Sequence, residues 1–267
     1  MIYDLHNDLL TNTYVDIKKE KTENSLAKNV IYALWTTNKR LRKDDVMRYL
    51  YALDDNDKWA IEDLSGILSF EEILDIPNLA YVSLTWNGEN CYAGGVGVEK
   101  SLSVHGKRAL SEMCIRDIPL DLSHLSDKAF FSAIDNYEKV FLSHTASRRL
   151  FNNSRLITDG MAKLVAKQSG IIGVFAVPKF LSEKKASRKD YLLHIVHFAD
   201  LVGVNYVAIG TDFNGSDERI TGLSTYMEFD LLRNEMASYG FTTDEINKIF
   251  FENAQRFFGS KNGKKEN

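Results

Sequence analysis

The residues best suited to chemistry are histidines and carboxylates that stand at the ends of short apolar segments. His6 and Asp8 lie two positions apart, directly after the segment Ile2–Leu5. Side chains alternate in direction along an extended strand, so a His-x-Asp pair can turn both side chains towards one ion. Imidazole and carboxylate together favour zinc-like divalent cations. The pair alone is a weak signal, because a chain with six histidines contains such spacings by chance.

The same pattern follows most of the other short apolar segments. The residues are Glu62 and Asp63 after the third segment, Trp86, Asn87, Glu89 and Asn90 after the fourth, His124 after the fifth, His144 after the sixth and Asp212 after the eighth. Three of the six histidines therefore stand at predicted strand ends. Asp121-Leu122-Ser123-His124 could be only a turn, and Ser143-His144-Thr145 could be a helix cap, but the repetition of histidines at strand ends favours a shared metal site.

The other three histidines have different surroundings in the sequence. His194 and His197 are three positions apart on a predicted helix, a spacing that can bind a metal. No carboxylate accompanies them at a matching spacing, so we predict a structural role. His105, near a predicted helix start, is expected at the surface or at the rim of a pocket.

Eight β-rich segments alternate with segments of helical periodicity, among them Ser126–Glu138, Thr158–Gln168 and Lys189–Leu201. The β-rich segments are Ile2–Leu5, Val30–Trp35, Lys58–Ile61, Ala80–Thr85, Ile118–Leu122, Val140–Leu142, Ile171–Val177 and Tyr206–Ile209. Eight βα units predict an α/β fold, a closed (β/α)8 TIM-type barrel, with an open doubly wound sheet as the alternative. All strands of such a barrel end on one face, so the scattered polar residues would converge there.

Length and composition predict a single domain. The 267 residues are 44% hydrophobic, and no linker rich in Pro, Gly or Ser interrupts them. The last helix begins with a capping box of Thr242 and Glu245 and ends at Gly259, where glycine is favoured after a helix. We predict a catalytic barrel over residues 1–259 and a disordered tail over 260–267.

Charge and composition exclude several function classes. A net charge of −4 without a basic face argues against nucleic-acid binding. No run reaches the roughly 18 apolar residues of a membrane span, and the N-terminus lacks the pattern of a signal peptide. Cys91 and Cys114 form neither a disulfide framework nor a paired metal motif. We expect a cytoplasmic protein with no nucleic-acid partner and no membrane contact.

At these residues the sequence resembles the renal (membrane) dipeptidase family, peptidase family M19, in a compact bacterial-type form. The segments that carry the resemblance are DLHNDLL at 4–10, AIED at 60–63, YVSLTWNGEN at 81–90, PLDLSHLS at 119–126, FLSHTASRRLFNNSRLITD at 141–159, HIVHFADLVGVNYVAIGTDFNG at 194–215 and ENAQRFFG at 252–259. The ordered set is specific, although no single motif is. The resemblance implies a barrel hydrolase that uses two zinc ions, or other divalent metals, to cleave dipeptides with a free C-terminal carboxylate. A homodimer is common in the family.

The resemblance also implies the metal ligands. His6 and Asp8 would bind the first ion, His124 and His144 would bind the second, and the Glu62 carboxylate would bridge the two. Two cations that share a carboxylate can hold a bridging hydroxide near neutral pH, because metal binding lowers the pKa of water from about 15.7 to roughly 7. That hydroxide would attack the peptide carbonyl.

The remaining roles concern the substrate and the proton. Arg155 matches the position that holds the C-terminal carboxylate of the dipeptide, a task that suits a guanidinium fork. Asp212 matches the acid near the attacking water and the leaving amine, where it would move the proton. Asp212 and Glu62 are therefore the expected catalytic residues.

Three positions depart from the family pattern. Trp86 stands where a histidine contacts the substrate, and indole is a donor that carries no positive charge. Asn214 replaces an aspartate to give DFNG, and Leu156 stands where an asparagine commonly follows the arginine. We expect Trp86 and the adjacent Asn87 to contact the substrate.

The departures leave alternatives to a zinc dipeptidase. Trp86 could reshape the pocket for another amide or for a lactone. From a different class, the chain could be a metal-binding barrel that has lost catalysis. The complete ligand set and Asp212 argue against that loss.

Overall fold

Eight parallel strands close into a barrel in chain order, and β8 pairs with β1. The computed structural model describes residues 1–11 and 27–259, so the predicted tail at 260–267 lies outside the described residues. The strands are β1 (Ile2–Asn7), β2 (Ala27–Trp35), β3 (Lys58–Glu62), β4 (Leu79–Ser83), β5 (Leu120–Asp121), β6 (Val140–Thr145), β7 (Ile172–Val174) and β8 (Val207–Ile209). The barrel prediction is confirmed, and the open doubly wound sheet is excluded.

Three strands extend further at their C-terminal ends than the predicted segments, and these are the ends that carry the candidate site residues. β1, β3 and β6 continue through His6, Glu62 and His144, which the sequence had placed after their strands. Backbone pairing continues there because its hydrogen bonds do not depend on the side chain, as the register of Trp35 opposite Glu62 shows. In contrast, β5 retains only Leu120–Asp121 of the predicted Ile118–Leu122.

Helices surround the barrel. They are α1 (Lys43–Leu50), α2 (Phe70–Leu74), α3 (Val104–Ile115), α4 (Asp127–Ile134), α5 (Asp159–Lys167), α6 (Arg188–Val202), α7 (Phe229–Ser238), α8 (Thr243–Asn247) and α9 (Asn253–Phe258). The three predicted helices are confirmed by α4, α5 and α6. Ser126 and Thr158 start α4 and α5 because their hydroxyls accept hydrogen bonds from free amides of the first turn. None of the helices in the described ranges has the length and apolar character to span a membrane.

The end of the chain is built differently from its prediction. Thr242 and Glu245 form the expected capping box, but a π-helical turn at Lys248–Glu252 separates α8 from α9. The last helix ends at Gly259 as predicted, and Gly259 has a φ of −79°, outside the left-handed region. Glycine is required there by space instead, because a Cβ would lie 2.0 Å from the Gln255 carbonyl oxygen.

The barrel interior is filled by side chains and closed at its base by the C-terminal helix. Leu5, Tyr81 and Phe141 are buried inside the strands. Phe257 and Phe258 of α9 pack on Phe141 with ring centroids 5.2 Å apart. This aromatic plug of Phe141, Phe257 and Phe258 holds the strands together at the end of the barrel opposite the polar residues. The ends of the strands that carry the polar residues are therefore held in fixed positions.

We expect Phe141→Ala to lower the free energy of unfolding by about 3–5 kcal/mol, because it opens a cavity where three aromatic rings meet. Phe131→Ala is the control, since Phe131 is 47% exposed on α4 and its loss should change stability by about 0.5 kcal/mol. Chemical denaturation measures both. Equal losses would contradict the interior position of Phe141.

Candidate metal centre

Six polar side chains from different strands meet at the C-terminal mouth of the barrel. They are His6 in β1 and Asp8 after it, Glu62 at the end of β3, His124 after β5, His144 in β6 and Asp212 after β8. All except Asp212 are buried, and Asp212 is half-buried. Residues as far apart in sequence as His6 and Asp212 therefore share one small volume.

Glu62 lies between two sets of ligand atoms. Its Oε2 is 3.7 Å from His6 Nε2. Its Oε1 is 3.1 Å from His124 Nε2 and 3.7 Å from His144 Nε2. The two oxygens of one carboxylate thus face different histidines, the geometry that a bridging ligand requires.

Three groups of potential ligands have all their atoms within 4.8 Å of one another: His6, Asp8 and Glu62; Glu62, His124 and His144; and His6, His144 and Asp212. The first two share only Glu62. The third brings Asp212 to 3.9 Å from His6 Nε2, although the resemblance does not count Asp212 among the ligands. The structure therefore places all five expected ligands together, with Asp212 beside them.

The donor set fits divalent cations. Ligand atoms around tetrahedral zinc lie about 3.4 Å apart, given zinc–ligand bonds near 2.1 Å. His6 Nε2 and Asp8 Oδ2 are 3.6 Å apart. His6 Nε2 and Asp8 Oδ1 are buried and make no hydrogen bond within the described ranges. Buried polar atoms are rarely left without a partner, and a bound cation would satisfy both.

The ring of His6 is held in the tautomer that a metal ligand needs. Its Nδ1 lies 2.7 Å from the Tyr81 hydroxyl, and that hydroxyl donates its own proton to the Leu5 carbonyl at 3.1 Å. The Tyr81 oxygen therefore accepts from His6 Nδ1–H. Nε2 is then the nitrogen that faces the carboxylates of the site, 3.6 Å from Asp8 Oδ2, where it can bind a cation.

The other two rings are oriented in the same sense. Ser143 Oγ donates to the Asp121 carboxylate at 2.6 Å and accepts from His144 Nδ1 at 2.6 Å. His124 Nδ1 donates to Asn87 Oδ1 at 3.2 Å. Both rings thus present an unprotonated Nε2 towards Glu62.

The electrostatic state of the site suits a cation. Burial and the nearby Arg155 guanidinium lower the pKa of His124 to about 4, and burial and His6 lower the pKa of His144 well below its usual value. Both rings are therefore neutral at pH 7. Burial and mutual repulsion raise the pKa of Asp8, with Glu62 as the main neighbour, and of Asp212, with Asp8 as the main neighbour. A cation would relieve this repulsion.

The backbone adopts unusual conformations to aim these side chains. His124 and Asp212 have φ values of 65° and 58°, in the left-handed region that non-glycine residues seldom adopt. Gly215 closes the same loop as Asp212. A Cβ at Gly215 would lie 2.4 Å from Asp8 Oδ2 and 2.3 Å from Asp212 Oδ1, so only glycine lets the two carboxylates approach.

A buried network fixes the loop that carries Asp212. Asp4 accepts hydrogen bonds from the amide of Thr211 at 2.7 Å and from the hydroxyls of Thr211 and Tyr226. Asn214, where the family often has aspartate, donates from Nδ2 to Asn7 Oδ1 at 3.1 Å. A carboxylate could not donate this bond, which accounts for the asparagine.

A cavity of about 400 Å³ opens above the ligand cluster. Arg155 lines it, is buried, donates from Nη2 to the His144 carbonyl at 2.9 Å and stacks on Phe175 at 5.2 Å. The other walls include Trp35, Trp86, Val177, Lys179 and Phe180. The cavity therefore has a floor of potential metal ligands, one buried cation and largely aromatic sides.

Comparison with known proteins assigns the family. The model of the membrane dipeptidase family, peptidase family M19, matches residues 74–267. The chain belongs to peptidase family M19. Among curated relatives, dipeptidase tcpJ of Claviceps purpurea is 25% identical over 225 residues, covering 80% of this chain and 53% of the relative. Dipeptidase aclJ of Aspergillus oryzae is 28% identical over 188 residues, 67% of this chain and 44% of the relative. The chain spans about half the length of these curated relatives.

Solved structures show the same fold. A metallopeptidase from Rhodobacter sphaeroides, liganded with a phosphinate mimic of the dipeptide L-Ala-D-Ala, superposes with a TM-score of 0.81 at 15% identity, covering 96% of this chain and 98% of that one. The M19 metallopeptidase named dipeptidase AC gives 0.80 at 16% identity, covering 97% and 99%.

The four residues of this M19 chain that were predicted at the site after β4 do not all reach the cavity. Trp86 and Asn87 line the cavity. Asn90 turns inward, where it donates to Asp63 Oδ1 at 2.9 Å, and Glu89 pairs with Lys100 at the surface. The structure thus brings two of the four residues to the site.

The remaining histidines lie away from the metal centre. His194 Nδ1 accepts from the Ser147 amide at 3.0 Å, and His197 Nε2 lies 2.8 Å from Asp159 Oδ1. No group of potential ligands within the described ranges contains either residue. Their predicted structural role agrees with these contacts. His105 is exposed beside a surface pocket, as predicted.

Several residues of the M19 site were not found from the sequence. Tyr81, Ser143 and Asp121 orient ligand histidines, and Trp35 forms part of the cavity wall. Trp35 is the last residue of β2, and this position at a strand end is the sequence signal that could have identified it. Tyr81 gave no signal, because a tyrosine inside an apolar strand is typical of a core.

We expect Ser143→Ala to weaken zinc affinity by about 10–100-fold, because it removes the acceptor that fixes the His144 ring. Ser147→Ala is the control, since the hydroxyl of this buried serine, two residues after the same strand, bonds among the described residues only to the Arg149 amide. Competition with a chelating dye measures both. Unchanged affinity in the Ser143 variant would show that the ring is held without it.

Proposed function

We propose that this chain is a binuclear zinc dipeptidase that hydrolyses small dipeptides with a free C-terminal carboxylate. The observation that carries the proposal is Glu62, whose two carboxylate oxygens face separate sets of histidines at 3.1–3.7 Å. A single-metal site has no need for that division. His6 and Asp8 complete one set, while His124 and His144 form the other.

The relatives support the substrate class. Two curated relatives are named dipeptidases, and the Rhodobacter sphaeroides structure holds a phosphinate mimic of a dipeptide. The cavity of about 400 Å³ is of the size that holds small ligands.

The proposed ligands are His6, Asp8, Glu62, His124 and His144. When bound there, two divalent cations supply an acidified water and polarise the carbonyl of the substrate. Five protein ligands for two ions leave coordination positions for water and substrate, as catalysis requires.

Two further residues act on the substrate and the proton. Arg155 binds the C-terminal carboxylate of the dipeptide, because its guanidinium is the buried cation of the cavity. Asp212 accepts the proton of the attacking water and delivers it to the leaving amine. Its Oδ1 lies 3.9 Å from His6 Nε2, next to the ligands, and Asp212 lines the cavity, which gives the proton a route to the substrate.

We expect the zinc-loaded protein to contain two metal ions per chain and to cleave dipeptides in a chelator-sensitive manner. Metal analysis and a panel of L-L and L-D dipeptides test this. Two ions without dipeptide turnover would contradict the proposal and favour another amide or a lactone as substrate. A metal content near zero after zinc loading would overturn the site itself.

Two variants separate binding from catalysis. Glu62→Gln should lower both zinc content and rate, because it removes the charge shared by the two ions. Asp212→Asn should lower kcat by about 10²–10⁴-fold and leave the zinc content near two. Rate and metal content are measured on the same dialysed samples. Equal loss of metal in both variants would refute this division of roles.

A further inference from the structure

Two tryptophans form one wall of the cavity. Trp35 and Trp86 both line it, with ring centroids 5.3 Å apart and planes at 73°. Trp35 is the last residue of β2, in register with Glu62, and its amide donates to Thr11 Oγ1 at 2.8 Å. The Trp86 ring lies 6.1 Å from the His124 ring. The wall therefore begins directly beside the metal ligands and is anchored to the barrel.

The barrel order places Trp35 on the side of the mouth opposite the strand that precedes Arg155. Arg155 follows β6, and β2, which ends at Trp35, lies four strands away around the closed ring of eight, whereas Trp86 follows β4, two strands from β6. Glu62 and His124 line the same cavity as Arg155 and the two tryptophans. A dipeptide with its carboxylate on Arg155 and its peptide carbonyl at the ligands would extend its first residue towards Trp35 and the adjoining ring of Trp86.

The chemistry of the wall determines which first residue fits. Indole faces are apolar and offer no acceptor and no charge. A large apolar side chain would displace water from both rings, whereas glycine would leave them wet. Polar side chains would lose hydrogen bonds to water without replacement.

We propose that Trp35 and Trp86 form the subsite for the first side chain and select dipeptides with a bulky apolar N-terminal residue, such as leucine or phenylalanine. This proposal rests on the proposed dipeptidase function. Trp86 acts as a specificity residue: the wall adds binding energy for one side chain and takes no part in proton transfer.

The test compares kcat/KM for Leu-Ala and Gly-Ala, and for Ala-Leu and Ala-Gly, with the zinc-loaded enzyme. We expect a preference of about tenfold or more for leucine at the first position and a much smaller one at the second. Trp86→Ala should reduce the first ratio towards unity and leave the second ratio unchanged. Trp86→Phe, which keeps an aromatic face, should retain most of the first ratio.

The outcomes are distinct. A first-position ratio that survives Trp86→Ala, or a preference confined to the second position, would overturn the subsite. Failure of the wild-type enzyme to cleave any of the four dipeptides would instead contradict the dipeptidase function. Calorimetric binding of the phosphinate analogues of Leu-Ala and Gly-Ala then decides the subsite without turnover, because the leucine analogue must bind more tightly. Metal content and circular dichroism confirm that each variant is folded, and Trp35→Ala, which removes the other indole of the wall, replaces Trp86→Ala if that variant is not.

Discussion

The Glu62 carboxylate sets the constraint on which the rest of the site depends. Its oxygens can serve two sets of histidines only if β1, β5 and β6 bring their ring nitrogens within about 3–4 Å of one rigid group. A buried carboxylate is costly without positive charge nearby, and Asp8 and Asp212 add to that cost by repulsion. Bound cations would offset the free-energy cost of burying these acids together. The aromatic plug at the opposite end of the barrel holds the strands that carry them.

The groups behind the histidines follow from the same constraint. A carboxylate in direct contact with each Nδ1 would add more negative charge to a site that already holds three acids. Tyr81 and Asn87 orient their rings as neutral acceptors, and Asp121 reaches His144 only through the Ser143 hydroxyl. These contacts fix the tautomers of the three histidines. The added negative charge, on Asp121, is separated from His144 by the Ser143 hydroxyl.

The sequence predicted the parts of this arrangement that residue type and period determine. Eight strands and the positions of His6, Glu62, His124 and His144 follow from alternation and from polar residues at strand ends. The orienting residues could not be found in this way, because Tyr81 contacts His6 across 75 positions and resembles a core residue. The residue at which each strand ends could not be predicted either, because the hydrogen bonds between strands continue beyond the apolar residues. The helix end at Gly259 was predicted, but the reason for glycine there, which is crowding at a negative φ, follows only from the structure.

Two adjacent side chains in the loop after β4 contact different parts of the candidate site. Asn87 faces His124 and fixes a proposed ligand, while the adjacent Trp86 faces the cavity. The two side chains are neighbours in sequence but act on different parts of the site. A replacement at position 86 therefore alters the wall met by the substrate and leaves the bond from His124 to Asn87 in place. Tryptophan in place of histidine is, on this argument, a change of pocket shape and polarity with the metal ligands preserved.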